Sequence, residues 1–381
     1  MRGKPERQPS MFYAFNVEDR IRADHPLRAI KRLVDEDLAG LRRRLIEAYS
    51  DTGRPSVPPE RLLKAMLLQA LYSIRSERQL VERIDTDLLF RWFLDMDPAD
   101  EGFDATAFTH NRPRLDRHGI TQAFFGRTVR RALQEKLASD EHFSVDGTLI
   151  ESYASIKSFV PKDEADRPND DGGGFKSRNP EVNFHGQKRS NATHASRTDP
   201  EARLYKKGDG QAAKLYHLGH ALAENRHGLV LAVSVGVAAG DAEPAAALEM
   251  LDDLKRRQRL RPQTCGADKG FDSGPFMLAL EERQITPHVA MRDGPIGGAG
   301  IRLRRDQENI AARQRMRDRQ PGLGYRLSQR TRKKVEEAFG WLKQVAGLAR
   351  TRLVGHWKIR QQFQMAAAAY NLVRMSRLLT T

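Results

Sequence analysis

Three acidic residues, Asp146, Asp268 and Glu336, stand where a carboxylate needs an explanation. Asp146 is the middle residue of HFSVDGTLI at 142–150, where polar and apolar residues alternate as in a β-strand. A carboxylate on a half-buried strand is costly without a cation, so Asp146 needs either an arginine partner or a metal ion. Asp268 ends a short segment, TCGADKG at 264–270, which is predicted to be a buried strand followed by a turn.

Glu336 lies on a helix that is predicted to run from its N-cap residue Ser328 to Lys343. At 3.6 residues per turn, one side of this helix is apolar and is expected to be buried. The residues of that stripe are Val335, Phe339 and Leu342. Glu336 shares the edge of the stripe with Arg332 and Lys343, whereas Glu337 points into solvent. One carboxylate is thus held at the core boundary between two cations; a surface helix with ordinary ion pairs is the alternative interpretation.

Two strands and a helix that each carry one acid can bring three carboxylates together around Mg²⁺, a hard ion that takes oxygen ligands. Two such ions about 4 Å apart can clamp the attacking and leaving oxygens of a phosphodiester. The hypothesis is that Asp146 bridges both ions and that Asp268 and Glu336 each hold one. The predicted cofactor is therefore two Mg²⁺ ions, with Mn²⁺ able to replace them.

The charge of the chain indicates a polyanionic partner. The formal net charge is +15, and residues 301–360 hold 17 Lys and Arg against 5 Asp and Glu. A basic block of this kind is typical of a nucleic-acid-binding surface. Cys265 is the only cysteine, which excludes an intrachain disulfide and a cysteine zinc cluster. No apolar run approaches the roughly 18 residues of a membrane span, and we expect a protein of a reducing compartment that works on DNA or RNA and has no membrane partner.

The pattern of the chain predicts three parts. The pattern of residues 1–138 predicts helices and an all-α domain for DNA binding or dimerisation. The helices near 59–84 fit a helix-turn-helix, but an ordinary helical hairpin is the favoured interpretation. Residues 139–354 alternate strands and helices, which favours an α/β core with a mixed sheet and helices on both faces. This core contains a polar loop or insertion at about 155–210. Residues 355–381 form a last helix.

Four stretches resemble the DDE transposases of the IS5 family of bacterial insertion sequences, and the likeness covers nearly the whole chain. The stretches are FSVDGTLIESYAS, SRTDPEARLYKKGDGQAAKLYHLGHALAENRHGLV, GADKGFDS and SQRTRKKVEEAFGWLKQVAGLARTR. The family's signature around its glutamate is Tyr, two residues, Arg, three residues, Glu, six residues, Lys. Arg332, Glu336 and Lys343 fit that spacing, but Gln329 stands at the Tyr position, so the role of that Tyr does not carry over.

The resemblance implies an RNase H-like catalytic core in which Asp146, Asp268 and Glu336 are the catalytic and metal-binding residues. It implies Mg-dependent cleavage and strand transfer at the terminal inverted repeats of an insertion sequence. The partners would be double-stranded DNA, as transposon ends and target, and a second copy of the chain in a synaptic complex. The resemblance also implies a cytoplasmic, nucleoid-associated location in a bacterium. The expected DNA-binding residues are Arg330, Arg332, Lys333, Lys334 and Lys343. The alternative function is a non-catalytic DNA-binding protein or repressor derived from a transposase.

Overall fold

The structure, a computed structural model, describes residues 16–50, 52–53, 55–165, 190–206, 212–238, 242–294, 296 and 304–379. Its first part contains helices only. These are α1 (Val17–Arg20), α2 (Pro26–Ala39), α3 (Arg42–Glu47), α4 (Pro59–Leu71), α5 (Glu77–Thr86), α6 (Leu88–Phe93), α7 (Thr106–Arg117) and α8 (Ile120–Gln134). Pro26 and Pro59 begin their helices, where the missing N–H of proline costs nothing. Ser76 caps α5 by accepting a hydrogen bond from the N–H of Gln79 at 3.2 Å.

The second part is built on a mixed sheet. Its strands are β1 (His142–Glu151), β4 (Arg203–Tyr205), β5 (Lys214–Glu224), β6 (Val230–Val237), β7 (Thr264–Ala267) and β8 (Thr286–Val289). The strand order is β4-β5-β1-β7-β8, with β6 also paired to β5. β6, β5 and β1 are antiparallel neighbours, whereas β7 runs parallel to β1 and β8 parallel to β7. This arrangement is the RNase H-like topology.

The helices of the second part cover both faces of the sheet. They are α10 (Ala242–Gln258), α11 (Gly274–Glu282), α12 (Arg304–Arg319), α13 (Leu323–Thr331), α14 (Lys333–Gln344) and α15 (His356–Leu378). Gly147 of β1 faces Glu243 of α10, and Gly219 of β5 faces Phe363 of α15. Gly219 pairs with Thr148, the neighbour of Gly147, so α10 and α15 lie on opposite faces. The predicted fold class is therefore confirmed, including the all-α region before the sheet.

One hydrophobic core joins the helical part to the sheet. It contains Leu67 of α4, Val145 of β1 and Ala367 of α15, all fully buried. Small residues at Met365–Tyr370 allow α15 to pack closely, and this helix contacts α4, α8 and β6. The last helix therefore connects the two parts of the chain and is not an appendage of either.

The structure corrects one local expectation, the N-cap at Ser328, and adds detail to another, the loop or insertion at about 155–210. Ser328 does not cap a helix, because α13 begins at Leu323 and Ser328 is buried within it. The helical segment is instead interrupted at Arg332, between α13 and α14. The stretch at 155–210 is not only loop. Where it is described, it forms a two-stranded sheet of β2 (Phe159–Pro161) and β3 (His194–Ser196), the short helix α9 (Lys162–Ala165) and strand β4. Residues 166–189 and 207–211 of that stretch lie outside the described residues.

Candidate active site

An opening between β1 and β7 brings two of the three acids together. The ladder between these strands covers only His142–Ser144 and Thr264–Gly266, and the two chains separate beyond it. Asp146 lies on β1 two residues past the last pair, and Asp268 follows the end of β7. Because parallel strands keep their register, the two aspartates reach the same end of this short ladder. The Oδ1 atoms of both accept backbone N–H groups at 2.8 Å, from Gly147 for Asp146 and from Gly270 for Asp268.

Arg332 connects the third acid to the first. Its Nη1 lies 3.5 Å from Oδ2 of Asp146, and its Nη2 lies 3.2 Å from Oε1 of Glu336. The first turn of α14 carries Glu336 to this position because Val335, with the rest of the predicted stripe, is buried against the sheet. Glu336 remains 52% exposed at the mouth of the opening, and Glu337 is exposed as expected.

A fourth acid, Glu243, enters the opening from the other face of the sheet. A Cβ atom added to Gly147 would lie 2.5 Å from Oε1 of Glu243, and one added to Gly270 would lie 3.0 Å from its Oε2. The same point above Gly270 is 2.9 Å from Oδ1 of Asp268. Two glycines therefore make room for this side chain beside both aspartates. Within the described residues Glu243 has neither a hydrogen bond nor an ion pair.

Sequence reasoning did not select Glu243. It lies in the first turn of α10, where acids are common because they complement the helix dipole. The sequence does place this helix between β6 and β7, the strand that Asp268 follows. A glutamate at the start of that helix must return to the same end of the sheet.

Burial and mutual repulsion raise the pKa values of two of these acids. The pKa of Asp146 is raised from 3.8 to about 6. Burial is the largest cause, the charges of Asp268 and Glu336 contribute, and the Gly147 N–H and Arg332 oppose the rise. Burial also raises the pKa of Glu243, and Asp268 and Asp146 raise it further. A nearby cation would lower both pKa values and allow these carboxyl groups to ionise together.

The chemistry of the group suits a divalent cation with oxygen ligands. Its donors are carboxylates only, the type that Mg²⁺ prefers. No three His, Cys, Asp or Glu side chains among the described residues are close enough to hold one metal ion between them. The Arg332 guanidinium supplies the cation between Asp146 and Glu336 in this arrangement. The residue types therefore fit a divalent ion. In this arrangement the guanidinium of Arg332 contacts two of the three predicted ligands, Asp146 and Glu336.

The five basic residues predicted to bind DNA have different surroundings. Arg332 makes the ion pairs that the alternative interpretation foresaw. Lys334 donates to the carbonyls of Asn225 and Arg226 at the turn between β5 and β6, the first at 2.9 Å. Lys343 is half-buried on α14, while Arg330 and Lys333 are exposed. Gln329, at the Tyr position, donates to the carbonyls of Ala267 and His288 and thereby fixes α13 to the ends of β7 and β8.

Comparisons with solved structures give weak likenesses to transposases. A piggyBac transposase synaptic complex with hairpin DNA aligns at 10% identity with a TM-score of 0.41, covering 93% of this chain and 76% of that chain. The Mos1 strand transfer complex aligns at 12% identity with a TM-score of 0.20, covering 80% of this chain and 83% of that chain. These values do not allow residues to be matched one by one. No curated protein matches the chain.

Family comparisons are decisive where the solved structures are not. Residues 15–114 match the family described as Transposase domain (DUF772), and residues 139–372 match the family described as Transposase DDE domain. No helix in the described part of the chain has the length and apolarity to cross a membrane. The second of the two family matches alone spans more than half of the chain and contains Asp146, Asp268 and Glu336. The chain therefore belongs to the DDE transposases, a family of polynucleotidyl transferases.

Proposed function

We propose that this protein is the transposase of an insertion sequence of the IS5 type, which binds the terminal inverted repeats and catalyses metal-dependent cleavage and strand transfer. One observation carries the proposal: Asp146, Asp268 and Glu336 approach one another from two strands and a helix at the open end of the β1–β7 ladder. DDE transposase domains generally use divalent metals, and this group of acids has the donor chemistry for Mg²⁺ or Mn²⁺.

Asp146 is the central ligand in this proposal. It lies between Asp268 and the Arg332–Glu336 pair, and the N–H of Gly147 fixes one of its oxygens. A bound pair of divalent ions would supply Lewis-acid stabilisation of the attacking and leaving oxygens of the phosphodiester. The protein's part is to hold Asp146, Asp268 and Glu336 in place on the rigid sheet and on α14, which is fixed by its buried stripe.

Arg332 exchanges its partners in this proposal. Without a metal, its guanidinium neutralises Asp146 and Glu336. If the carboxylates held a divalent ion instead, Arg332 would be free to pair with a DNA phosphate beside the scissile bond. The same side chain thus keeps the acids from repelling one another before binding and contacts the substrate afterwards.

Glu243 completes the group as a fourth oxygen donor. Its side chain reaches between Gly147 and Gly270 and is without a cation partner in the described residues. It lies near Asp268 and is close enough to Asp146 and Asp268 for both charges to raise its pKa. From this position Glu243 would help Asp146 and Asp268 to hold a divalent ion, directly or through a water molecule.

The substrate is double-stranded DNA, and a homodimer is proposed because two transposon ends must be joined. The test is an excision assay with DNA that carries the ends flanking the coding sequence in its source genome. Wild-type protein should cut these ends with Mg²⁺ and not with EDTA, and Asp146→Asn should bind the DNA without cutting it. Cutting by Asp146→Asn would refute the assigned site, and DNA binding without cutting by wild type would favour the repressor alternative.

A further inference from the structure

A cavity of about 680 Å³ lies between the helical part and the catalytic part, away from the carboxylates. Its walls are the C-terminal end of α8, the C-terminal end of α10 and the turn between β5 and β6. Five cations line it, accompanied by Asp140 as the one acid among its lining residues. These cations are Arg130, Lys136, Arg226, Arg257 and Arg259. We call this cavity the basic groove.

Most of the cations in the basic groove are not neutralised by the protein. Arg257 pairs with Asp253 at 3.2 Å, but Arg130, Lys136, Arg226 and Arg259 have no carboxylate partner in the described residues. Arg131, the neighbour of Arg130 on α8, faces the other way and pairs with Asp37 and Glu36. The same helix end therefore carries one neutralised arginine and one that is left for an external anion.

The C-terminal end of any helix favours a cation, because the helix dipole places a partial negative charge there. That effect accounts for a basic residue in the last turn of α8 or α10, but it does not account for Arg226, which lies on a β-turn. It also does not account for Lys136 and Arg259, which stand just past their helices at φ 54° and 57°. This left-handed conformation favours glycine at a helix end, yet both positions hold long cations beside the groove.

Hydrogen bonds connect the walls of the groove to one another and to Lys334, one of the predicted DNA-binding residues. Gln258 ties its two helices together by donating to the carbonyl of Gly126 at 2.8 Å and accepting from Nε of Arg130 at 3.3 Å. Lys334 of α14 holds the carbonyl of Arg226, so the turn that lines the groove also touches the helix that carries Glu336. Lys334 and Arg226 therefore lie between the helix that carries Glu336 and the groove.

We propose that the basic groove binds the sugar-phosphate backbone of the DNA duplex whose scissile phosphate lies at the carboxylates. This inference rests on the proposed function and adds a second contact site to it. Glu243 and Gln258 mark the two ends of α10, which are about 22 Å apart at 1.5 Å per residue. At about 3.4 Å per base pair, the groove would contact the backbone roughly six base pairs from the cut.

The test measures the salt dependence of the affinity for a fluorescein-labelled DNA duplex of arbitrary sequence. The duplex has 30 base pairs, roughly five times the distance of six base pairs between the groove and the cut. Each phosphate contact contributes about 0.9 to the slope of log K against log salt. The variant Lys136→Gln/Arg226→Gln/Arg259→Gln should therefore have a slope shallower by roughly 2 to 3 than wild type. All three side chains are exposed, so we expect the variant to fold, and its thermal unfolding is measured alongside.

Two matched variants make the result specific. Arg32→Gln/Arg42→Gln/Arg44→Gln removes the same charge from exposed positions on α2 and α3 outside the groove and should keep the wild-type slope. Lys136→Arg/Arg226→Lys/Arg259→Lys keeps the charge in the groove and should also keep the slope. If wild type binds DNA and the two glutamine variants have equal slopes, the groove proposal is overturned while the proposed function stands. If wild type binds no DNA, the proposed function itself fails.

Discussion

Two aspartates beside the same central strands, Asp199 and Asp146, show opposite ways of burying a carboxylate. Asp199 is fully buried, and its Oδ2 accepts from Oγ of Ser152 at 2.7 Å and lies 2.8 Å from Nε2 of His217. These partners hold the pKa of Asp199 below its ordinary value despite the burial. Asp146 is 18% exposed, and its pKa rises to about 6, first because the carboxyl is largely buried and second because Asp268 and Glu336 repel its charge.

The difference separates a structural acid from a functional one. Ser, His and Asp are the residue types of a hydrolytic triad, but around Asp199 the serine contacts the aspartate and all three side chains are buried. That group joins the end of β1 and strand β5 to the segment before β4. Asp146 stabilises nothing comparable, and its surroundings are explained by a cation that the chain supplies only in part, through Arg332.

The largest expected effect is on cleavage. Asp146→Asn, Asp268→Asn and Glu336→Gln should each lower the rate of end cleavage by at least about 10³-fold, since each removes metal stabilisation worth several kcal/mol. Glu337→Gln is the control, because Glu337 is the exposed neighbour on α14. The measurement is single-turnover cleavage with Mg²⁺. Equal rates for Glu336→Gln and Glu337→Gln would remove Glu336 from the site.

The second effect is on stability and has opposite signs at the two aspartates. Asp199→Asn should lower the free energy of unfolding by about 3–5 kcal/mol, because it removes the carboxylate charge with which the buried side chains of Ser152 and His217 interact. Asp146→Asn should raise it at pH 7 in EDTA by up to about 3 kcal/mol, the equivalent of the rise in pKa from 3.8 to about 6. Urea unfolding measures both. A loss of stability in Asp146→Asn would show that Asp146 is a structural residue as well.

The pH dependence of stability sharpens the same contrast. The pKa of Asp146 is higher in the folded protein than in the unfolded chain, so the folded state binds the proton more tightly and loses stability as pH rises from about 4 to 6. The advantage of Asp146→Asn should therefore be near zero at pH 4 and complete by pH 7. The pKa of Asp199 is lowered, so its contribution is present above the unfolded pKa and is lost as pH falls. An advantage of Asp146→Asn that does not change with pH would contradict this account.

The smallest expected effect concerns Glu243. Glu243→Gln should weaken Mn²⁺ binding roughly 10-fold, the size seen for groups that support metal ligands. Glu249→Gln is the matched control, since Glu249 is an exposed glutamate on the same helix. Isothermal titration calorimetry gives the affinities. The same affinity in both variants would leave Glu243 as a space-filling side chain between Gly147 and Gly270.

Sequence reasoning predicted what depends on local pattern. The strand expected at 142–150, found as β1 (His142–Glu151), and the buried stripe of α14 follow from periodicity, and the choice of Glu336 over Glu337 rests on the helical wheel. The break at Arg332 was not predicted, because the contacts of Gln329 with the strand ends, which hold α13 there, are tertiary. Glu243 and the basic groove were also missed. Each is defined by elements far apart in the chain, and an acid or a cation at a helix end is ordinary by itself.

The most direct test of the central claim is a Mn²⁺ titration followed by electron paramagnetic resonance, with wild type, Asp146→Asn and Glu337→Gln. If the acids converge to hold divalent ions, wild type and Glu337→Gln will bind Mn²⁺ with the same stoichiometry, and Asp146→Asn will lose that binding. Mn²⁺ binding by Asp146→Asn with wild-type stoichiometry and affinity would contradict the assignment of the metal site to these carboxylates.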